Sequence, residues 1–567
     1  MTTRTSCALV ALLALALLPA AATASATLVI ANIDGPGEGF NDATPAAPVG
    51  SNPGTTVGQQ RLNAFQHAAN LWGAVLDSGV PIVIQSSFDP LTCTPTSAVL
   101  GSAGTIQIFA DVDTSVLELA NTWYHVALAN KLFGGDLAPG AQGTSADDIR
   151  ARFNSNIGNP GCLTGIGWYY GLDGNHGTQI DLVTVLLHEF GHGLGFSTFT
   201  SSSTGNRIAG LGDVYAQYAL DVTQGKVWNQ LTSPQVVASA LNTRKLVWDG
   251  LHVSTSAPAV LSLGTPLLRV NSPAGLGPYD VGAAAFGPLL VAPGTSGNLV
   301  VGIDPADGAG PSTTDGCSPL TNAVAGNVVL LDRGTCGFTV KVKNAQNAGA
   351  VAAVIADNVA GSPPAGLGGV DPTITIPSAR VTLAAGNALK AGLGGGSVNV
   401  TLGVDPTVRA GVQPNTGFVM LYTPNPLQPG SSVSHWDTLA FRNLLMEPAI
   451  NADLTHSVSV PQDLTLEEMK DIGWFSDHDG VPDGADACLG STPTVTVGGC
   501  DSGVTNDVFA NGCTVADQVN ACANGAGNHG AFVSCVAHVT NDLKKQGVIT
   551  GAEKGAIQSC AAGAAIP

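Results

Sequence analysis

The chain has 567 residues, with 21 Lys and Arg against 41 Asp and Glu and a formal net charge of −20. Basic residues this sparse leave no electrostatic footprint for nucleic acid or for an anionic membrane surface. With 44% hydrophobic and only 11% charged residues, the chain is too apolar to be a disordered polymer, and its length suits about two to four domains.

The N-terminus carries the pattern of an export signal. Arg4 precedes an apolar run over residues 8–18, and Ala24-Ser25-Ala26 forms an A-x-A cleavage site. The run is too short to span a bilayer, and no later stretch is long and uncharged enough to do so. A secreted product without a membrane partner is therefore expected. Cleavage after Ala26 would remove Arg4 and no acid, taking the charge from −20 to −21. Cys7 would leave with the signal, and the other ten of the 11 cysteines suit disulfides in an exported chain. By position Cys93 groups with Cys162, Cys317 with Cys336 and Cys488 with Cys500. Cys513, Cys522, Cys535 and Cys560 form a tail set whose pairing the spacing leaves open.

A short strand is expected over 27–33. Over 55–78 the apolar period is helical, with Leu62, Phe65, Ala69, Leu71, Trp72 and Leu76 on one broad side. Strand-like segments follow at 80–85, 104–111 and 121–130. The glycine-bounded aromatic run at 167–172 suits an edge strand beside a cleft. A helix is expected near 233–242, and short β runs at 328–331 and 351–355 lie in a Gly-, Pro- and Val-rich stretch.

Residues 188–192 read His-Glu-Phe-Gly-His and continue an apolar helical stretch. On a helix, His188 and His192 face one way, so both imidazoles can reach one Zn²⁺. Glu189 is then placed as general base towards a zinc-activated water and as proton donor to the leaving amine. A catalytic zinc site takes three protein ligands. The motif continues to Gly195, which would end the helix, but the next expected histidine position holds Thr198, an unsuitable ligand. His252, His435, His456, His478, His529 and His538 are the later candidates. A downstream glutamate is an alternative, although no helix with a well-spaced Glu follows His192.

His435 lies in Ser434-His435-Trp436-Asp437, and Leu445-Met446-Glu447-Pro448 follows. With the first motif, this resembles the leishmanolysin family of metzincins, in which an insertion separates the helix glycine from the third histidine. The resemblance implies His435 as third zinc ligand and Met446 as the Met-turn residue beneath the metal. It also implies a secreted endopeptidase acting on proteins or peptides.

Residues 315–358, with Arg333-Gly334-x-Cys336-x-Phe338, Lys341 and Ala348-Gly349-Ala350, resemble a protease-associated (PA) domain. Its role would be to shape substrate access, to bind polypeptide or merely to act as a spacer. Asp477, Asp479, Asp483 and Asp486, ahead of Cys488, resemble a thrombospondin type-3 repeat, and this spacing suits Ca²⁺.

The expected fold is α+β, a metzincin-like catalytic domain (twisted sheet plus active-site helix) interrupted by an α/β PA domain and followed by a small disulfide-bearing C-terminal module. The expected division is 1–26 signal, 27–264 and 405–475 catalytic, 265–404 PA insert, 476–504 Asp-rich linker and 505–567 tail. The expected activity is that of a zinc metalloendopeptidase. A zinc-stabilised binding protein without activity and a secreted zinc exopeptidase are the alternatives.

Overall fold

The first sheet is assembled by crossover connections. Strand β1 (Leu28–Asn32) leads through helix α1 (Val57–Gly73) to strand β2 (Ile82–Asp89), which pairs with it in parallel. Strands β3 (Gly101–Thr105) and β4 (Ile149–Asn154) complete the order β1-β2-β4-β3, with β2 and β4 parallel and β3 antiparallel to β4 at one edge. This computed structural model describes residues 25–112, 116–138, 147–451, 453–477, 479 and 481–566. The expected signal lies outside them, apart from Ser25 and Ala26.

Thr56 caps α1 by accepting from the Gln59 N–H, and Phe65, Ala69 and Trp72 go into the core. Leu76, just past the helix, is buried as well. Leu62, expected on the same side, is 41% exposed, because its position falls at the rim of the apolar stripe. The expected strand at 121–130 is half right. Residues 122–125 pair in a small sheet, but 126–133 form a helix closed by Gly134 in the left-handed conformation. Helix α2 (Leu182–Leu194) is buried along its whole length against α1 and the sheet.

Helix α3 (Leu251–Val260) precedes the insert. Strand β5 (Leu263–Ser272) then pairs antiparallel with β10 (Asn399–Arg409), from Leu263 opposite Arg409 to Ser272 opposite Asn399. This ladder brings the two ends of the insert together, so the chain leaves and re-enters the first core at one place. Within the insert, β6 (Thr295–Val301), β7 (Val328–Asp332), β8 (Ala352–Ala356) and β9 (Ser378–Val381) run in parallel. Helix α4 (Phe338–Asn347) supplies the crossover between β7 and β8, as parallel strands require, and α5 (Leu383–Gly395) leads from β9 back to β10, which runs antiparallel to β6.

The buried apolar residues form separate cores. The largest draws on residues 26–261 and on 412–474, so the segments flanking the insert share one interior. Helix α6 (Thr465–Asp471) belongs to it. The insert has its own apolar clusters, and so does the tail. The tail core begins earlier than expected. Strands β11 (Thr494–Val497) and β12 (Cys500–Thr505) form a hairpin that packs with α7 (His529–Gln546) and α8 (Gly551–Gly563).

Five disulfides are present among the described residues. Cys93–Cys162 and Cys317–Cys336 are as expected. The pairing of Cys488 with Cys500 is overturned. Cys488 bonds Cys513, Cys500 bonds Cys560 and Cys522 bonds Cys535. The physical reason is the hairpin, which starts β12 at Cys500 and presents it to α8 rather than to the preceding loop. Among the described residues, no helix is long and apolar enough to cross a membrane.

Candidate metal centre

Helix α2 is fixed at its start by Asp181, whose carboxylate accepts from the Thr184 hydroxyl (2.6 Å) and backbone N–H (3.4 Å) and pairs with His456 (2.5 Å). Burial disfavours the Asp181 anion, but these partners outweigh it and lower its pKa. The helix then carries His188, Glu189 and His192 into the interior, each less than a tenth exposed.

His435, from beyond the insert, meets them there. One ligand atom from each of His188, His192 and His435 lies within 4.8 Å of the others. Each ring's Nδ1 faces a backbone carbonyl: Leu445 O for His188 (2.7 Å), Phe196 O for His192 (2.8 Å) and Ser431 O for His435 (2.8 Å). A carbonyl only accepts, so Nδ1 carries the proton in all three and Nε2 keeps its lone pair. Burial holds the imidazoles neutral, His188 down at about 4, His192 at about 3 and His435 well below its ordinary value. The Nε2 atoms of His188 and His192 then face each other at 3.1 Å without a proton between them. Two bare lone pairs so close repel, and a shared cation resolves the conflict. The donor set fits Zn²⁺, which takes neutral imidazoles whose other nitrogen is held by a carbonyl.

Glu189 lies against edge strand β3. A β-carbon on Gly101 would come within 2.9 Å of Glu189 Cγ, so only glycine there admits the carboxylate. Burial pushes Glu189 up to about 8, opposed by a hydrogen bond from the Ala103 N–H. Residues 97–103, with Glu189 and the histidines, line a cleft of about 830 Å³. The aromatic run at 167–172 does not border this cleft. Trp168–Tyr169 pairs with Ile180–Asp181, and β3 is the sheet edge beside the metal centre.

Met446 is fully buried under α2, against Gly191. The turn that holds it is over-determined. Leu445 N–H donates to Asp463 (2.6 Å), Leu444 N–H to Glu447 (2.8 Å) and Trp436 N–H to Met446 O (2.8 Å). Gly195 lets the chain turn out of α2 beneath Ile472, whose Cδ1 would lie 2.2 Å from an added β-carbon. Thr198 donates instead to Asp213 (2.8 Å).

Sequence reasoning missed His125, fully buried, whose Nε2 lies 2.7 Å from Ser197 Oγ in the wall of the cleft. It also missed the Asp181–His456 pair and Asp463. Only the position of Asp181 as a cap before an apolar helical run was a usable signal.

In the Asp-rich segment, Asp477, Asp479 and Asp486 bring one carboxylate oxygen each within 4.8 Å of the others. Asp483 is not with them. Its carboxylate accepts from the Phe475 N–H (3.0 Å) beside Glu118 and Lys131, and burial pushes its pKa strongly up.

Residues 294–389 match the family model described as the PA domain, so the insert contains one. Over 111 residues the chain is 38% identical to a probable lipoprotein aminopeptidase of Mycobacterium tuberculosis, covering 19% of this chain and 21% of that one. Over 44 residues it is 50% identical to a signal peptide peptidase-like protein of Arabidopsis thaliana, 8% of either chain. The chain thus spans about a fifth or less of the length of these curated relatives. Among solved structures, an aminopeptidase from an Aneurinibacillus strain matches at TM-score 0.20 and 24% identity, over 26% of this chain and 31% of that one. A zinc aminopeptidase from Bacillus subtilis matches at TM-score 0.19 and 17% identity, over 34% and 42%.

Proposed function

We propose that the protein is an exported zinc peptidase of metzincin type, with His188, His192 and His435 holding the ion and Glu189 acting as acid and base. The observation that carries this reading is the convergence of three neutral imidazoles, two from one helix and one from roughly 240 residues further on, beside a buried glutamate. When bound, zinc supplies Lewis-acid polarisation of a water and of the scissile carbonyl. The remaining work falls to the chain. Burial alone pushes Glu189 up to about 8, and a cation held by the three imidazoles would favour its carboxylate form, which takes a proton from the attacking water and delivers it to the leaving amine. Edge strand β3 lines the cleft where a substrate main chain would lie in extended form. Met446 packs beneath the helix and keeps both ligand-bearing segments in register. Five disulfides fit an oxidising, extracellular setting.

A Glu189→Gln variant tests the mechanism. It should keep zinc but lose at least about a hundredfold in turnover of peptide substrates. Unchanged turnover would discard the mechanism, and absence of hydrolysis in the wild type would favour a zinc-stabilised binding protein.

The relative named an aminopeptidase favours an exopeptidase, whereas the leishmanolysin resemblance implies an endopeptidase. Peptides with free and with acetylated N-termini separate the two. Loss of cleavage on acetylation supports the exopeptidase, and retained internal cleavage supports the endopeptidase.

Asp477, Asp479 and Asp486 are proposed as a Ca²⁺ site. Asp486 is fully buried, and Asp479 Oδ2 and Asp486 Oδ2 have no hydrogen-bond partner among the described residues. Such oxygens are costly unless a cation satisfies them.

A further inference from the structure

A second cavity, of about 750 Å³, lies between the PA-domain insert and the segment that returns with His435. Its walls are tied together across the two parts. Ser362 and Asn425 exchange both backbone hydrogen bonds (2.7 Å each), and the Ser362 and Thr243 hydroxyls meet at 2.6 Å. Arg244 reaches Asp280 of the insert (2.6 Å) and the buried Asp437 (3.2 Å). The opening is therefore a built feature, held at fixed width by paired groups.

Its chemistry is apolar and electrically balanced. Leu289, Val359 and Phe441 line it while remaining 74%, 61% and 51% exposed, although large apolar side chains are usually covered. The guanidinium groups within it are already engaged. Arg244 has its two aspartates, and Arg333 (2.9 Å) and Arg380 (3.4 Å) share Asp357. Arg380 also donates to Ala365 O (2.7 Å) and Gly366 O (3.0 Å). An anionic ligand would compete with aspartates and carbonyls for Arg244 and Arg380, leaving it Arg333, bonded through Nη1 to Asp357, whereas an uncharged apolar ligand would disturb none of these pairs.

Position decides the occupant. Asn425, Pro426 and Gln428 line this cavity, and the next residues, Pro429, Gly430 and Ser431, line the metal cleft. One stretch of backbone is thus the wall of both, and Ser431 O is the carbonyl that orients His435. A polypeptide leaving the cleft along this stretch would enter the cavity in extended form.

We infer that the cavity between the PA insert and the 422–443 segment is a second substrate subsite, which takes an extended, uncharged, apolar stretch of the same polypeptide that lies in the metal cleft. The inference rests on the peptidase reading, and it makes the protein selective for unfolded or flexible apolar segments.

The test uses fluorogenic peptides with one common core: untailed, or carrying about six apolar residues on the N-terminal or the C-terminal side. One tailed peptide should show KM about tenfold below that of the untailed core, equivalent to ~1.4 kcal/mol. Val359→Asp and Leu289→Asp should abolish that advantage while leaving turnover of the core peptide within about twofold, which also shows that the variants fold. Equal KM for all three peptides, or equal losses on tailed and untailed peptides in both variants, would overturn the subsite. Fluorescence anisotropy of the labelled tailed peptide on the full-length Glu189→Gln chain separates the two proposals. Binding weakened by Val359→Asp without any wild-type hydrolysis would sink the peptidase reading and keep the subsite. Hydrolysis with binding indifferent to both rim substitutions would do the reverse.

Discussion

Gly193 of helix α2 and Ile149 of β4 approach so closely that a β-carbon on the glycine would lie 2.4 Å from Ile149 Cγ2. Two residues earlier, a β-carbon on Gly191 would meet Met446 Sδ at 2.9 Å. The helix therefore lies on the sheet on one side and on the Met446 turn on the other, with glycine at both contacts, and this depth carries Glu189 to β3. Gly193→Ala should cost about 1–3 kcal/mol by overpacking. Urea denaturation of the metal-free and zinc-bound chain measures it. Stability equal to wild type in both states would mean that the helix does not depend on this approach.

His435 reaches the helix only because β5 and β10 close the insert. His435→Ala should reduce zinc content after dialysis from about one equivalent per chain towards none, whereas His252→Ala, on α3, should leave it at one. Metal analysis of both variants reads the result. Full zinc occupancy in the His435 variant would remove it from the ligand set.

This part of the centre was legible because its chemistry is written in residue types with strict spacing. His188, Glu189 and His192 stand at one helical period, and Met446 follows His435 in a chain poor in methionine. The supports were not legible, because they join residues far apart in sequence through backbone atoms that any residue supplies. Leu445 O and Ser431 O orient two of the imidazoles, yet nothing in leucine or serine announces it. Edge strand β3 was legible only at Gly104 and Thr105, where the expected 104–111 segment overlaps it, for a related reason. Gly101-Ser102-Ala103-Gly104-Thr105 has low intrinsic β propensity and is held in the sheet by pairing with β4. The grouping of Cys488 with Cys500 fails because proximity in sequence is not proximity in space, and the β11–β12 hairpin turns Cys500 towards Cys560 instead.

Calcium at Asp477, Asp479 and Asp486 should stabilise the folded chain by mass action, about 2.7 kcal/mol when free Ca²⁺ is a hundred times its dissociation constant. Thermal melts with calcium or with a calcium-selective chelator, zinc being held constant, should differ in wild type and coincide in Asp486→Asn. Asp483→Asn should keep the calcium response, since Asp483 faces Glu118 and Lys131 instead. A calcium shift that survives in the Asp486 variant would place the ion elsewhere.

Glu468, on α6, is fully buried, and neither carboxylate oxygen has a hydrogen-bond partner among the described residues. Burial, with Asp471 nearby, drives its pKa well above the ordinary 4.5. The folded chain therefore keeps a proton that the unfolded chain releases once pH exceeds about 4.5. Folding stability then falls as pH rises from there towards the folded value, by up to about 1.4 kcal/mol per pH unit for this one group. Asp471, pushed up to about 8 by burial against hydrogen bonds from Trp248, His252 and Val253, acts in the same direction between 3.8 and 8. Glu468→Gln has no proton to lose. At pH 5 it should be no more stable than wild type, since a buried amide is no better satisfied than the neutral acid. By pH 8 it should be the more stable chain. Melting temperatures of both chains at pH 5, 6.5 and 8, with zinc in excess so that ligand protonation cancels in the difference, give the answer. A constant difference across that range would mean that Glu468 is ionised in the folded protein.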